Sequence, residues 1–193
     1  MKRILNVSLL AALFLSIAVQ TTKADDRVLL EEARQIATTM PPKLMAVLNE
    51  EIAKGGMASA IKVCREKAPQ MAAAASEKTG WHIRRVSLQN RNPKAVPDEW
   101  ETAVLREFDS LAAAGRDPAT LEKTTIAAEG NQRSYRYMKA LPTQALCLNC
   151  HGTGADIPAD VQAKLRELYP DDKATGYQVG EIRGAITIKR ALP

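Results

Sequence analysis

Apolar positions in the first half of the chain recur at intervals of three and four residues, a spacing typical of α-helices. This pattern predicts a helix over residues 26–53 that is interrupted at Pro41-Pro42 and ended by Gly55-Gly56. A second helix is predicted from about Met57 to Lys78. Cys64 falls on its apolar stripe and is predicted to face the protein interior. The other members of this stripe are Met57, Ala60, Ile61, Ala68, Met71, Ala72 and Ala75.

The middle of the chain changes to the alternating pattern of strands. The segment WHIRRVSLQNRNP predicts a strand with a bulge or an edge position near Arg84-Arg85. A helix is expected after Pro97-Asp98, ending near Ala114 before Gly115. The segments EKTTIAAE and RSYRYMKAL flank Gly130-Asn131, which favours a β-hairpin.

The last part of the chain contains a short predicted helix after Pro158 and the segment GYQVGEIRGAITIKRAL, whose β-branched end predicts a final strand. Helices that precede and flank a small antiparallel sheet define the α+β class. No internal repeat or long linker divides the sequence, so a single domain is predicted over residues 25–193.

The first 24 residues have the form of a secretory signal peptide. Lys2 and Arg3 precede a mostly apolar run from Ile4 to Val19, and cleavage is predicted after Ala24. The run is shorter than the roughly 20 residues that span a bilayer. We therefore expect export to the periplasm, with an uncleaved N-terminal anchor as the alternative.

Removal of this segment changes the charge balance of the chain. The full sequence has 27 Lys and Arg against 22 Asp and Glu, and the loss of Lys2, Arg3 and Lys23 leaves 24 against 22. This nearly neutral balance does not support the basic footprint that is typical of nucleic-acid binding.

The segment ALCLNCHGTG carries the strongest chemical signal. Cys147, Cys150 and His151 form the sequence C-x-x-C-H, which in an exported protein predicts covalent attachment of one c-type haem. Two thiols three residues apart can both reach the haem edge, and the adjacent imidazole can bind iron from one side. A disulfide between the two cysteines is an alternative that leaves His151 unexplained. A zinc site would need a fourth ligand.

The second axial ligand separates electron transfer from ligand binding. All six methionines precede His151, so the downstream methionine that completes the iron in common small cytochromes c is absent. A four-helix cytochrome c-prime is disfavoured because a strand-forming tail follows the motif. The candidates for the second ligand are Cys64, His82, Met57, Met71 or no residue, and the residue types alone leave them open.

Four segments in order resemble those of c-type-haem domains with a PAS-like fold: AIKVCREKAPQMA, RRVSLQNRNPKAVPDEWE, CLNCHG and LYPDDKATGYQVGEIRGAITI. Members of that family are standalone exported cytochromes or periplasmic sensor modules of histidine kinases and chemoreceptors. The resemblance covers almost the whole mature chain. It implies a PAS-like sheet with long N-terminal helices packed around the haem, and it implies that His151 and Cys64 are the two iron ligands.

Several residues near these ligands are candidates for contacts to the porphyrin. Haem propionates need cationic or amide partners, and arginine binds carboxylates through a planar fork. Arg91 and Arg183 are therefore the foremost candidates, ahead of Arg84 and Arg85. Tyr177 is a candidate for packing on the porphyrin.

These features predict a mono-haem cytochrome that carries one electron at low potential, because a cysteine ligand donates electron density to iron whereas methionine raises the potential. Its partner would be an unidentified redox protein. The alternative is a sensor module that reports redox state, or a gas such as CO or NO, to a membrane protein. No phosphate-binding loop is present, so we expect no enzyme activity beyond a weak peroxidase-like one.

Overall fold

A four-stranded antiparallel sheet forms the centre of the fold in the computed structural model, which describes the backbone of residues 8–193 and the side chains of residues 25–193. The strands are β1 (His82–Val86), β2 (Glu122–Glu129), β3 (Gln132–Pro142) and β4 (Ile182–Leu192), in the order β1-β4-β3-β2. The helices are α1 (Ser8–Ser59), α2 (Ala68–Thr79), α3 (Glu99–Ala113), α4 (Leu148–His151) and α5 (Ala159–Leu168). The predicted α+β class, with a small sheet and a long N-terminal helix, is confirmed.

The strands largely follow the predicted pattern. The expected hairpin is the β2–β3 pair, and Gly130 in its turn adopts a φ of 60°, which glycine tolerates best. β1 is an edge strand, as expected near Arg84-Arg85, but the predicted alternative of a bulge there is wrong, since its register with β4 is regular. The irregularity lies between Ala140 and Pro142 of β3, where proline lacks a backbone donor for the sheet.

Helix α1 continues through Pro41-Pro42, so the predicted interruption is wrong. Each proline removes only one backbone donor. Ala33 and Ala37, both fully buried, hold the preceding turns of α1 on the sheet, and this packing outweighs the loss. The helix is broken at Gly56, at its predicted end, because a φ of 78° and a ψ of −177° are not helical.

The sheet carries one helix on each face. α1 covers the first face, where its buried alanines pack with Trp81, Ile83, Tyr135, Tyr137, Ile186 and Ile188. α3 covers the second face, where Val104, Leu105 and Phe108 pack with Val86, Met138, Ile182 and Ala185. Because side chains alternate between the faces of a strand, neighbouring residues of β1 meet different helices.

A third apolar cluster joins the end of α1 to the C-x-x-C-H segment. Ile61 is buried there together with Val161 and Leu165 of α5, and Met57 and Cys150 pack against them. α5 therefore connects the N-terminal helical region with the predicted haem-binding segment.

The predicted signal peptide, residues 1–24, lies outside the residues whose side chains are described. Residues 25–193 contain all the elements above except the first part of α1. Within the described part of the chain, no helix combines the length and the apolar character needed to cross a membrane.

Candidate functional site

The C-x-x-C-H residues lie on a short helical segment between β3 and α5. Residues 145–147 form a 3₁₀ turn that continues into α4. Cys147 and Cys150 are three residues apart on this segment, so their half-buried thiols lie on neighbouring positions of one face. All three cysteines of the chain are free, and the alternative disulfide does not form. Burial, only partly opposed by the charge of Arg91, raises the pKa of Cys150 to about 11.

The imidazole of His151 is held in one orientation by residues 174–177. Its Nδ1 lies 2.7 Å from the carbonyl oxygen of Ala174. Because a carbonyl only accepts, Nδ1 carries the proton and the lone pair of Nε2 remains available to a metal. The ring of Tyr177 packs edge-on against the imidazole with 6.4 Å between centroids, and its backbone N–H donates to the His151 carbonyl at 3.0 Å.

The environment of His151 favours the neutral ring. Burial holds its pKa well below the usual range, and the positive charges of Arg183 and Arg91 act in the same direction. The hydrogen bond to Ala174 opposes this shift without overcoming it. Neutral imidazole is the form that binds metal, so the site presents His151 in the state a ligand requires.

Arg91 ties the C-x-x-C-H segment to the loop behind it. Its Nε donates to the carboxylate of Asp172 at 2.9 Å, and its Nη2 donates to the carbonyl oxygens of Cys150 and Ala174. The side chains of Arg91 and Asp172 are only 10% and 12% exposed. The structure therefore places this guanidinium on acceptors of the chain itself, where it braces the loop that orients His151.

The prediction that Cys64 faces the interior is wrong, because its side chain is exposed. The segment from Met57 to Lys78 is not one continuous α-helix, since residues 63–67 form a π-helical turn. The wider turn breaks the 3.6-residue period on which the apolar stripe depends, and Val63 takes the buried position next to Cys64.

The exposed Cys64 thiol nevertheless lies near the C-x-x-C-H segment. Burial raises the pKa of Tyr169, and the charge of Cys64 adds to that rise. The guanidinium of Arg65, the residue after Cys64, lies 6.0 Å from the ring of Tyr169, which packs in the same apolar cluster as Cys150. The π-helical turn and α4 therefore bring the third thiol and the C-x-x-C-H residues into the same region of the molecule.

The other predicted site residues surround this region to different extents. Tyr177 is buried and contacts His151, and Arg183 is half-buried on β4. His82 is exposed and, by strand alternation, lies on the α3 side of β1. Met57 packs in the third apolar cluster and Met71 is half-buried on α2. The structure thus assembles Cys147, Cys150, His151, Tyr177 and Arg91 directly and brings Cys64 and Arg183 close to them.

Sequence reasoning missed three contributors to the site. Ala174 acts through its backbone carbonyl oxygen, and because every residue has such a group, the residue type does not indicate this role. Asp172 is visible only as one charge in the segment LYPDDKATGYQ. The ring of Tyr169 lies 6.0 Å from the guanidinium of Arg65, next to Cys64, and 6.0 Å from that of Arg91. No local pattern indicates that one tyrosine lies between these two regions.

The donor set fits a haem better than a bare metal ion. Two thiols on one helical turn, an imidazole with an available Nε2 and an exposed third thiol are the groups that a covalent haem with two protein ligands requires. Arg183 adds a buried Nε that has no hydrogen-bond partner among the described side chains. Across residues with described side chains, no group of three or more His, Cys, Asp or Glu residues is placed to hold a metal ion.

Comparisons with known proteins agree with this assignment of the fold. No curated protein matches the chain. A solved structure described as that of the cyanobacterial haem protein Tll0287 matches with a TM-score of 0.59 and 26% identity, over 82% of this chain and 93% of that chain. The resemblance to PAS-like haem domains found in the sequence is confirmed by this match. The family model described as Tll0287-like matches residues 16–190, almost the whole sequence, and the chain therefore belongs to the Tll0287-like family.

Proposed function

We propose that this protein is an exported c-type cytochrome that binds one haem covalently through Cys147 and Cys150 and transfers single electrons. His151 and Cys64 are the iron ligands in this proposal. The observation that carries it is the hydrogen bond from His151 Nδ1 to the Ala174 carbonyl, which leaves Nε2 as the metal-binding atom directly after the two thiols. The relationship to a haem protein of known structure supports the same cofactor.

The protein residues hold and orient the group rather than react with it. Haem iron, when bound, supplies a one-electron couple. Ala174 and Tyr177 keep the imidazole of His151 in one orientation, and Arg91 fixes the carbonyl of Cys150 to the same loop. A rigid ligand on one side limits rearrangement when the electron arrives, which suits a carrier.

Cys64 is the strongest candidate for the opposite side of the iron. Its thiol is exposed rather than packed in the core, and it lies near Cys150 and Tyr169 on an element separate from α4. A thiolate ligand increases electron density at iron, so the proposal includes a low reduction potential.

Covalent attachment is tested by producing the chain with a c-type haem maturation system and measuring its mass after denaturation. We expect the mass of one haem in addition to the polypeptide from residue 25. Cys147→Ala combined with Cys150→Ala should abolish the haem adduct, whereas His82→Ala should retain it. A wild-type polypeptide without the adduct would contradict the proposed function.

Cys64 ligation is tested by absorption and electron paramagnetic resonance spectra of the ferric protein. We expect a low-spin thiolate signature that is lost in Cys64→Ser. Met57→Leu and Met71→Leu serve as controls, because a methionine ligand would respond to one of them instead. Spectra that Cys64→Ser leaves unchanged would rule out this ligand.

A second candidate function is a periplasmic haem sensor for redox state or for CO or NO, signalling to a separate membrane protein. It is favoured by the position of Cys64 on an exposed π-helical turn, since short π-helical turns recur at functional sites and an exposed ligand can leave. Titration of the reduced protein with CO distinguishes the two functions. Stoichiometric binding with loss of the Cys64 bond favours a sensor, and no binding favours a carrier.

A further inference from the structure

Two arginines lie on the neighbouring strands β1 and β4 at one edge of the sheet. Arg84 of β1 points to α3, where it pairs with Glu101, so its neighbour Arg85 points to the opposite face. Along β4, Ile182 and Ala185 both pack in the α3-side core although they are three residues apart, so the alternation of side chains is interrupted at Arg183 and Gly184. Burial first, and then the charge of Arg183, lowers the pKa of Arg85 to about 10, which indicates that the two guanidinium groups share one environment.

The backbone at this point is unusually close-packed. Arg85 is paired with Ile186 of β4, and Gly184 lies between that position and Arg183. Gly184 has a φ of 144°, and a Cβ atom added there would lie 2.3 Å from the carbonyl oxygen of Val86. The glycine allows β4 to approach β1 closely between Arg183 and the residue of β4 that pairs with Arg85.

Neither arginine has an acceptor within the described part of the chain. Both side chains are half-buried, they form no hydrogen bond or ion pair there, and Nε of Arg183 is fully buried without a partner. The other arginines that are not exposed all have carboxylate partners: Arg84, Arg91, Arg136 and Arg190. Removing a cation from water without a counter-charge costs free energy. The two unpaired arginines therefore indicate that an anion from outside the chain binds between them.

The pair lies beside the residues of the candidate haem site. The residue before Arg183 pairs with Pro142 of β3, and the Thr143 N–H donates to the Glu181 carbonyl at 2.8 Å. The start of β4 therefore lies beside the end of β3 that leads into the C-x-x-C-H segment. The electrostatic influence of Cys147 on Arg85 agrees with this position. An anion bound by the two arginines would therefore lie beside the C-x-x-C-H segment.

We propose that Arg85 and Arg183 bind the propionate carboxylates of the haem, an inference that rests on the proposed function. A haem carries two carboxylates on one edge, and each guanidinium can bind a carboxylate through two parallel hydrogen bonds. Arg85 thus takes the place that the sequence assigns to Arg91, whose donors are already satisfied by Asp172 and two backbone carbonyls.

The test uses the haem-loaded protein and compares wild type with Arg85→Gln, Arg183→Gln and the double variant. Resonance Raman spectra report the propionate bending bands, and potentiometry at fixed pH and ionic strength reports the midpoint potential. We expect each single variant to shift the propionate bands and make the potential more negative, because a nearby cation favours the reduced haem. The double variant should show the largest shift.

Matched controls separate carboxylate binding from a general charge effect. Arg116→Gln removes an exposed positive charge and should leave both readouts unchanged. Arg85→Lys and Arg183→Lys keep the charge but lose the planar fork, so they should shift the bands while largely preserving the potential. If the glutamine variants do not fold or do not incorporate haem, the lysine variants are compared with the wild type instead.

Two results would be decisive against the inference, and a third would be decisive against the proposed function on which it rests. Propionate bands that are identical in the wild type and the double variant would overturn it, even with haem attached and Cys64 bound. A shift of the wild-type bands or potential on titration with phosphate at constant ionic strength, absent in the double variant, would mean that the arginines hold a free anion instead. A wild-type protein without covalent haem would contradict the proposed function itself.

Discussion

At the scale of single residues, backbone atoms decide the chemistry of His151. The C-x-x-C-H sequence places an imidazole beside two thiols, but the carbonyl of Ala174 determines which ring nitrogen is free. Arg91 donates hydrogen bonds to the carbonyl oxygens of both Ala174 and Cys150. A sequence motif identifies the ligand, and hydrogen bonds from a loop more than twenty residues later orient it.

Gly152 gives a prediction at this scale. A Cβ atom at this position would lie 2.7 Å from the carbonyl oxygen of Leu148 and 2.8 Å from Cβ of Asp156. We expect Gly152→Ala to lower the free energy of unfolding by about 1–3 kcal/mol, as overpacking does, measured by urea denaturation of the haem-loaded protein.

Gly154 provides the matched control for that substitution. A Cβ atom there meets nothing within 4 Å, so Gly154→Ala should leave the unfolding midpoint nearly unchanged. Equal stability of Gly152→Ala and Gly154→Ala would contradict the close packing after α4. The comparison holds the substitution constant and varies only the surroundings.

At the scale of elements, the region between α1 and α2 determines where Cys64 lies. The kink at Gly56 lies where the sequence predicts the end of the first helix, whereas the π-helical turn at residues 63–67 divides the predicted second helix. Val63 is buried by this arrangement and Cys64 is exposed. The local departure from α-helical geometry thus converts an expected core cysteine into an accessible thiol.

Gly56→Ala tests the importance of the kink. The φ of 78° and ψ of −177° fall in a region that only glycine occupies readily, and no atom lies within 4 Å of an added Cβ. Backbone strain alone should therefore lower the unfolding free energy by about 1–3 kcal/mol. If Cys64 binds iron, its spectral signature should weaken as well.

The control for Gly56→Ala is Lys54→Ala, an exposed position of α1 in the turn before the kink. It should change neither stability nor spectra by more than the small effects usual at helix surfaces. A Gly56→Ala protein that matches this control would mean that the region tolerates a regular helix.

At the scale of the whole molecule, a buried charge network holds α3 on the sheet. Glu101 is 2% exposed and accepts hydrogen bonds from Arg84 of β1 and Thr187 of β4. Arg136 of β3 lies 3.4 Å from the same carboxylate. One side chain of α3 therefore contacts three of the four strands, on the face opposite Arg85.

Glu101→Gln should destabilise the fold without affecting the iron ligands. Removing one partner of a buried charge network leaves uncompensated cations, so we expect a loss of about 3–5 kcal/mol in unfolding free energy. Glu107→Gln on the same helix is the control, since its exposed pair with Lys123 contributes under about 1 kcal/mol. Similar urea midpoints for both variants would show that the network contributes little.

Much of the secondary structure could be predicted because it depends on short-range patterns. The β2–β3 hairpin follows from alternating segments around Gly130, and α3 follows from the helical signals after Pro97-Asp98. The continuity of α1 through Pro41-Pro42 could not be predicted, because tertiary packing compensates for the backbone hydrogen-bond donors that the two prolines lack. The π-helical turn could not either, since a periodic pattern assumes one constant turn size.

The sequence by itself determined the C-x-x-C-H segment, the α+β class and the identity of the single cysteine outside the motif. These depend on residue types and on neighbours close along the chain. Only the tertiary structure decided that Cys64 is exposed near α4, that Arg91 binds Asp172 and backbone carbonyls, and that Arg85 and Arg183 have no partner among the residues with described side chains. The physical reason is that the burial and pairing of a charge depend on groups distant in sequence, which strand order and helix packing bring together.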